Sequence, residues 1–572
     1  MQPGKRIRWN SLPQMMLELA AQRQDRPMLR YWKDNAWHKV SWGEFAHRVA
    51  AVAAGLRARG VGPGDRVLLV SESRPEFIIA DTAIMAIGAV TVPTYTTNTP
   101  ADHAHILRDS GARVAIVSSA ALAKRVTEAA SGTGGLDLLV TMEAAKPGGG
   151  PEALPWAELE ATQADLDLLR AEVEQIPPGR LACLVYTSGT GGAPKGVMLP
   201  HRAMLSNRDG VAQLADRLHL EGECYLSFLP MSHSYEHTVG GFLLPSLGVE
   251  VVFSRGAERL AAEFQQVKPA IITAVPRLFE VLRARMLADI EKEGGWKAKL
   301  FFRAVELGLR KMDGPPLGLF ERLQDAVLDR LVRDKVRARF GGRMLAMVSG
   351  GARLDPDLSG FFLALGLPVI QGYGQTEAGP VISVNLPWDN VRSTVGPPLP
   401  GVEARIAEDG ELCVRGELVM DGYWNQPEAT AKAVQDGWLH TGDVAEMVDG
   451  RIRITDRKRD FIKTLGGDMV SPAKLEGLLM AEPEIMQAVV AGEGKPALVA
   501  LVVPAQGMEA KVSEAIARVN GKLASIERIR KTATVAPFTV ENGMLTPTMK
   551  VKRRVVLETH KAEIEGLHGR GP

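Results

Sequence analysis

The residues with the most chemistry in them fall at 184–196, LVYTSGTGGAPKG. They comprise three hydroxyl side chains (Thr187, Ser188, Thr190), four glycines (Gly189, Gly191, Gly192, Gly196) and one lysine, Lys195. Glycines admit backbone angles closed to other residues, so successive N–H groups can converge on one anion with no Cβ in the way. Hydroxyl donors and a mobile ammonium complete a cradle suited to polyphosphate. A P-loop would need Gly before the lysine and Ser or Thr after it, with a helix starting beneath the phosphates. Pro194 and Gly196 hold those two places, so this cradle is of another kind.

Residues 186–196 resemble YTSGTTGxPKG, a signature of the adenylate-forming superfamily of acyl-CoA synthetases, luciferases and peptide-synthetase adenylation domains, with Gly191 where a second Thr is usual. Further stretches match that superfamily in its own order. In QGYGQTE (371–377), Gly372 and Tyr373 allow a ring to lie against a flat base, while Thr376 and Glu377 project into a crevice at a strand's carboxyl end. DGWLHTGD (436–443) and TDRKRD (455–460) resemble the signature of fatty acyl-CoA synthetases. The resemblance implies that Asp443 accepts from both ribose hydroxyls and that Arg457 reaches the ribose too. Arg459 falls at the hinge position, where relatives carry Asp or Lys, and Lys463 matches a lysine that faces nucleotide in one conformer. In LTPTMKVKRR (545–554), Lys550 aligns with the lysine that approaches the α-phosphate and acyl carboxylate, with Met549 in place of the usual Gly. His233 in LPMSH matches an aromatic or histidine position beside the acyl entrance.

Each of these residues has an ordinary explanation when taken singly: a solvated charge, a structural histidine, a basic tail. The ordered set argues otherwise. It implies catalytic roles for Lys550, His233, Thr376 and Glu377. Thr187, Ser188, Gly189, Thr190, Gly192, Lys195, Gly351, Ala352, Gly372, Tyr373, Asp443, Arg457 and Lys463 are expected to hold ATP, with magnesium at Thr187 and Glu377. The implied reaction activates a long-chain fatty acid with ATP and Mg2+, then forms a thioester with coenzyme A. Two other readings are an acyl-AMP ligase that loads a carrier protein and an inactive nucleotide-binding regulator. His233, Glu236 and His237 also spell H-x-x-E-H, an inverted zinc motif. Pro230 and the neighbouring serines fit a loop opening into a helix rather than the helix that motif needs, so zinc is not expected.

Elements able to position these groups are legible in the hydrophobic pattern. Phe45, Val49, Val52 and Leu56 recur at helical spacing before a VGPGD turn and the apolar run 67–70, and the alternation continues through 78–87, 106–110 and 114–117. That grammar predicts an α/β fold with mainly parallel sheets. Residues 131–155 read as a surface excursion, 277–340 as long exposed helices broken near GPPLG, and the short segments after about 395 as a small β-barrel. An N-terminal adenylation domain of 1–458, made of two sheet subdomains plus the barrel, and a mobile α+β C-terminal domain of 459–572 are expected.

A chain of 572 residues can bury more than one core. Its 68 basic and 67 acidic side chains create no broad field for nucleic acid or anionic lipid, though local patches are compatible with that balance. Cys183, Cys224 and Cys413 lack metal-ligand spacing and suit a reducing compartment. The N-terminus is basic but interrupted by Pro3, Gly4 and Pro13, without the apolar core of a signal peptide. A cytoplasmic enzyme is expected, with membrane contact at most peripheral to the inner face; a homodimer occurs among relatives. At Gly191 the missing hydroxyl is worth about 1 kcal/mol of hydrogen bonding. Gly191→Thr is therefore expected to change the KM for ATP by only a few-fold in steady-state assays; abolished turnover would contradict this reading.

Overall fold

The structure is a computed structural model that describes residues 9–143, 153–187, 193–458, 461–465, 469–546 and 550–569. Two eight-stranded sheets dominate it. In one, the parallel strands Glu250–Phe253, Cys224–Ser227, Ile271–Ala274, Ala346–Ser349 and Val369–Gly374 run side by side, closed at one edge by the antiparallel Val381–Val384. In the other, Leu181–Thr187, Val90–Thr94, Arg66–Val70, Val114–Val117 and Leu138–Thr141 are parallel neighbours. Their residues are apolar almost without alternation because both faces are covered. The helices Leu12–Arg23, Trp42–Arg57 and Pro75–Ala86 belong to the shared core, with Trp42, Phe45 and Phe77 fully buried.

Local chemistry sets the ends of these helices. Ser41 and Glu44 cap Trp42–Arg57 reciprocally, and Ser11 accepts from the Gln14 N–H at the start of Leu12–Arg23. Pro13, read in the sequence as an interruption, lies in that helix's first turn, where its missing N–H has no intrahelical partner to lose. The supposed excursion at 131–155 also differs from expectation. It contains the buried strand Leu138–Thr141 and the edge strand Ala153–Pro155, too short for a periodic signal. The expected barrel takes the form of a five-stranded antiparallel sheet built from Glu403–Ile406, Glu411–Arg415, Val434–Gln435, Trp438–Val448 and Arg451–Arg457.

Beyond residue 461 the chain packs a three-stranded sheet, Ile485–Ala491, Leu498–Pro504 and Ile529–Thr534, against helices Pro472–Ala481 and Val512–Gly521, with its own apolar cluster around Leu475, Ala500 and Val519. Hydrogen bonds of 3.4 Å from Arg277 and Arg283 to the carbonyls of Met486 and Ala481 tie this body to the helix Pro276–Glu293.

One charged group is sealed into the first sheet. Glu236 is fully buried and accepts from the Tyr225 hydroxyl (2.6 Å to each oxygen), Ser227 (2.6 Å) and Thr273 (2.9 Å). Gly240 leaves room for it, since a Cβ there would come within 2.4 Å of Glu236 Oε1. Burial pushes the Glu236 carboxyl up to about 7, opposed by those hydrogen bonds. A carboxyl raised on folding contributes fully below its unfolded value near 4.5, and that contribution is lost as pH rises through about 7. Glu236→Gln is therefore expected to raise Tm at pH 8, on a scale of about 3 kcal/mol, with the difference fading towards pH 4.5. Thermal melts at the two pH values check this; a destabilised variant at pH 8 would contradict it.

Candidate functional site

The carboxyl ends of strands from both large sheets and one edge of the antiparallel sheet open into a single cleft of about 2620 Å³, which Lys550 also lines. Thr187 ends its strand there, and Lys195 begins the next, antiparallel strand directly opposite it. These two strands form an antiparallel pair, and Lys195 is followed by a strand where a P-loop would start a helix. Ser188, Gly189, Thr190, Gly191 and Gly192 lie outside the described residues, as does Arg459, expected at the hinge. The hairpin is braced at its base by Tyr186, whose hydroxyl donates to Asp109 Oδ2 (2.6 Å), and by His105, with Nε2 at 2.8 Å from the Pro194 carbonyl.

At the base of the crevice, Gly374 passes so close to its neighbour that a Cβ would sit 1.9 Å from the Pro380 carbonyl oxygen. Only glycine fits, and the turn it permits sends Thr376 and Glu377 into the cleft. Thr376 shares a 2.8 Å hydrogen bond with Ser234, and Glu377 Oε1 accepts from the Tyr423 hydroxyl at 2.8 Å. Lys195 Nζ lies over the same tyrosine ring, 4.8 Å from its centroid. Tyr423 thus joins the two charged groups, and the sequence alone did not single it out. It comes to the site because the two-residue strand Gly422–Tyr423 pairs with Lys195–Pro200, a register no local pattern encodes.

Asp443 sits at the other end of the cleft, buried, and accepts from the Tyr373 hydroxyl at 2.6 Å. Arg457 faces it across adjacent antiparallel strands, with Nε 3.3 Å from Asp443 Oδ1. Burial, then the Asp443 charge and hydrogen bond, hold the Tyr373 phenol well above its usual range. Behind this group Glu411, also missed in the sequence, receives the Gly442 N–H (2.8 Å), the Lys458 ammonium (3.0 Å) and His440 Nδ1 (3.1 Å), which fixes the stretch of strand presenting Asp443. Glu411, Cys413 and His440 are spaced as a metal triad, but the Lys458 ammonium already sits on the carboxylate.

His233 caps the helix Ser234–Thr238, its Nδ1 accepting from the Tyr235 N–H at 3.2 Å. Desolvation, then the nearby Lys550 charge, bring the imidazole down to about 4, so near neutral pH it is uncharged and its proton is on Nε2. The residues of the zinc-like motif diverge: Glu236 turns into the sheet, and His237 Nε2 lies 2.9 Å from buried Asp81. Lys550 is presented by a bridge between Leu545 and Val551, with its N–H donating to Thr546 Oγ1 at 3.0 Å. Gly351 (φ +78°) and Gly372 line the cleft. Ala352 is exposed outside its lining, and Lys463, also exposed, lies outside it with its N–H bonded to Glu493.

The apolar branch of the cleft's lining comprises Val239, Leu243 and Leu247 of the segment after His233, with Val211, Leu214 and Leu218. The helix widens to a π turn over Val239–Leu243 at this point.

Lys195, the Tyr373–Asp443–Arg457 group and a set of apolar side chains thus share one cleft with Lys550. Comparison with known proteins gives the class: the family model described as AMP-binding enzyme matches residues 17–424, and one described as AMP-binding enzyme C-terminal domain matches 459–570. The chain belongs to the AMP-binding enzyme family. It is 35% identical over 567 residues to the long-chain-fatty-acid--CoA ligase FadD15 of Mycobacterium tuberculosis, covering 94% of this chain and 93% of that one. It is 30% identical to the peroxisomal long chain acyl-CoA synthetase 7 of Arabidopsis thaliana, over 90% of this chain and 79% of that one. The anthranilate CoA ligase AuaEII, solved with anthranoyl-AMP, shares the fold at a TM-score of 0.75 and 20% identity, covering 97% and 98% of the two chains.

Removing the Tyr423 hydroxyl while keeping its ring isolates one contact. Tyr423→Phe is expected to weaken ATP binding about fivefold, the worth of one hydrogen bond near 1 kcal/mol. Tyr423→Ala, which also uncovers Lys195, should cost more. Calorimetric titration with ATP measures both; equal affinity in all three proteins would remove Tyr423 from the site.

Proposed function

We propose that this chain is an AMP-forming long-chain fatty acid:CoA ligase, with its nucleotide and acyl binding in residues 1–458 and a mobile domain in 459–572. The observation that carries the reading is the meeting of Lys550, His233 and the apolar branch in one cleft with the Asp443 pocket. Relatives that cover nearly the whole chain are named for the same activity.

In the first step a fatty carboxylate attacks the α-phosphorus of ATP, forming an acyl adenylate and releasing pyrophosphate. Asp443 and Arg457 hold the ribose, and Tyr373 lies along the base. Lys195, Thr187 and the cradle take the β- and γ-phosphates. The Lys550 ammonium offsets charge that builds on the α-phosphate and carboxylate oxygens. Neutral His233 offers Nε2–H to an oxygen of the acyl group without competing for its proton. The chain's apolar tail follows the branch between Val211 and Leu243, away from water.

Thr187 and Glu377 would hold magnesium. Glu377 Oε1 is occupied by Tyr423, whereas Oε2 carries no hydrogen bond among the described residues, and both Glu377 and Thr187 line the cleft as hard oxygen donors. Bound there, the ion would neutralise phosphate charge. In the second step the C-terminal domain turns at Arg459, withdraws Lys550 and admits coenzyme A, whose thiolate attacks the adenylate carbonyl and expels AMP.

Two features weigh against the other readings. An inactive regulator has no use for Lys550 and Glu377 in one cleft, and the relatives cited above are named as a CoA ligase and an acyl-CoA synthetase. The three cysteines are free and buried, in keeping with a cytoplasmic location, and no helix among the described residues is long and apolar enough to cross a membrane.

Half-reactions test this division of labour. Lys550→Ala is expected to lose pyrophosphate exchange with palmitate by two orders of magnitude or more, on the order expected for a lost charge stabiliser, yet to thioesterify supplied palmitoyl adenylate. Equal loss of both steps in folded protein would refute it. Failure of the wild-type protein to release acyl-CoA from any fatty acid would overturn the function itself.

A further inference from the structure

The helix Leu319–Leu328 and its continuation Asp329–Arg333 are built the wrong way round for a soluble surface. The inward face is already satisfied. Leu328 packs with Ala304, Leu307 and Leu317, while buried Arg333 donates to the carbonyls of Ala364 (2.6 Å) and Ala304 (2.8 Å) and pairs with Asp325 at 2.7 Å. The outward face carries Leu319, Phe320, Leu323, Val327 and Leu331, the first two 86% and 81% exposed. At 100° per residue these five side chains fall within about a third of the helix circumference, along roughly 20 Å of axis. Exposure of one such residue is ordinary; a continuous stripe of them marks an interaction surface.

Charge around the stripe indicates the partner. Residues 295–339 hold eleven Lys and Arg against six Asp and Glu, in a chain whose net charge is only +1. Arg322, Arg330, Lys335 and Lys299 are exposed and have no acidic partner among the described residues. No Asp or Glu lies within the stripe itself. The exposed ring of Trp296, on the preceding helix Gly295–Asp313, adds an amphipathic group to the same helical region. Apolar side chains flanked by cations suit the boundary between acyl chains and anionic headgroups. A second copy fits less well, because a stripe one helix wide falls short of the roughly 800 Å² per partner of a stable interface, and like charges would face each other across the symmetry axis.

A contact on the preceding helix also links this region to the cleft. Asp313, at the end of Gly295–Asp313, ion-pairs with Arg392, close in sequence to exposed Trp388 and Val391. Leu386 and Pro387, directly before Trp388, line the cleft. We propose that the stripe Leu319–Phe320–Leu323–Val327–Leu331 docks this protein on the surface of an anionic lipid bilayer, where a water-insoluble acid is taken up. The use of the surface rests on the long-chain reading given above; the docking itself does not.

The test is flotation of the full-length protein, without substrate, on vesicles of phosphatidylcholine alone or mixed with phosphatidylglycerol. The wild-type protein is expected to float with the anionic vesicles and to detach at high salt. The double variant Leu319→Glu/Leu323→Glu should bind about tenfold more weakly or worse, given two apolar anchors replaced by repelled charges. Arg330→Glu should lose the preference for anionic over neutral vesicles. Both variants change only exposed side chains, and unchanged activity on a short soluble acid checks their fold. Absence of wild-type flotation overturns the proposal, as does undiminished flotation of the double variant or a wild-type dimer that this variant disperses. Vesicle binding by a protein that forms no acyl-CoA would leave the docking surface standing and remove the long-chain reading alone.

Discussion

The structure depends most on one buried carboxylate. Asp443 accepts from Tyr373, which ends a strand of a large parallel sheet, and lies against Arg457 on the neighbouring strand of the antiparallel sheet. A carboxylate taken out of water costs several kcal/mol unless charge and hydrogen bonds replace the solvent. Tyr373 and Arg457 supply that replacement, and in doing so they tie the edge of one sheet to the other. Glu411 repeats the device one layer back, receiving a backbone N–H, an ammonium and an imidazole. This side of the cleft is therefore organised without a ligand, and on the proposed reading ribose hydroxyls would enter an existing network rather than create one.

The opposite end of the cleft is arranged differently. Lys195, Tyr423 and Glu377 form a chain of cation, ring, hydroxyl and carboxylate, with both charged groups facing the cleft. Here the residues hold opposite charges apart without pairing them directly. That separation suits a place where polyphosphate and a counter-ion must both fit, because a direct salt bridge would have to be broken first. Between the two ends, the tight passage at Gly374 holds Thr376 and Glu377 in place.

The parts of this molecule legible in the sequence are those whose chemistry is local. Apolar runs bounded by turns announced parallel strands. Tyr423 and Glu411 were not legible because their roles arise from pairing between strands far apart in the chain. The strand Leu138–Thr141 was too short to show a period. The helix Leu319–Leu328 failed in another way: periodicity reveals that a helix has an apolar face, but not whether that face looks inward. Its core side turned out to be held by Leu328 and a buried arginine, with the more apolar side left in solvent.

The proximity of Lys550 to His233 links proton affinity to domain posture. The imidazole is held down first by desolvation and then by the lysine's charge. Any motion that carries Lys550 away relieves the second of these and leaves the first, so the histidine binds its proton more tightly in the open arrangement. On the proposed mechanism, in which Lys550 leaves the cleft after adenylation, two postures would therefore differ in how readily they take up a proton, and by thermodynamic reciprocity acid would favour the posture in which the lysine is gone.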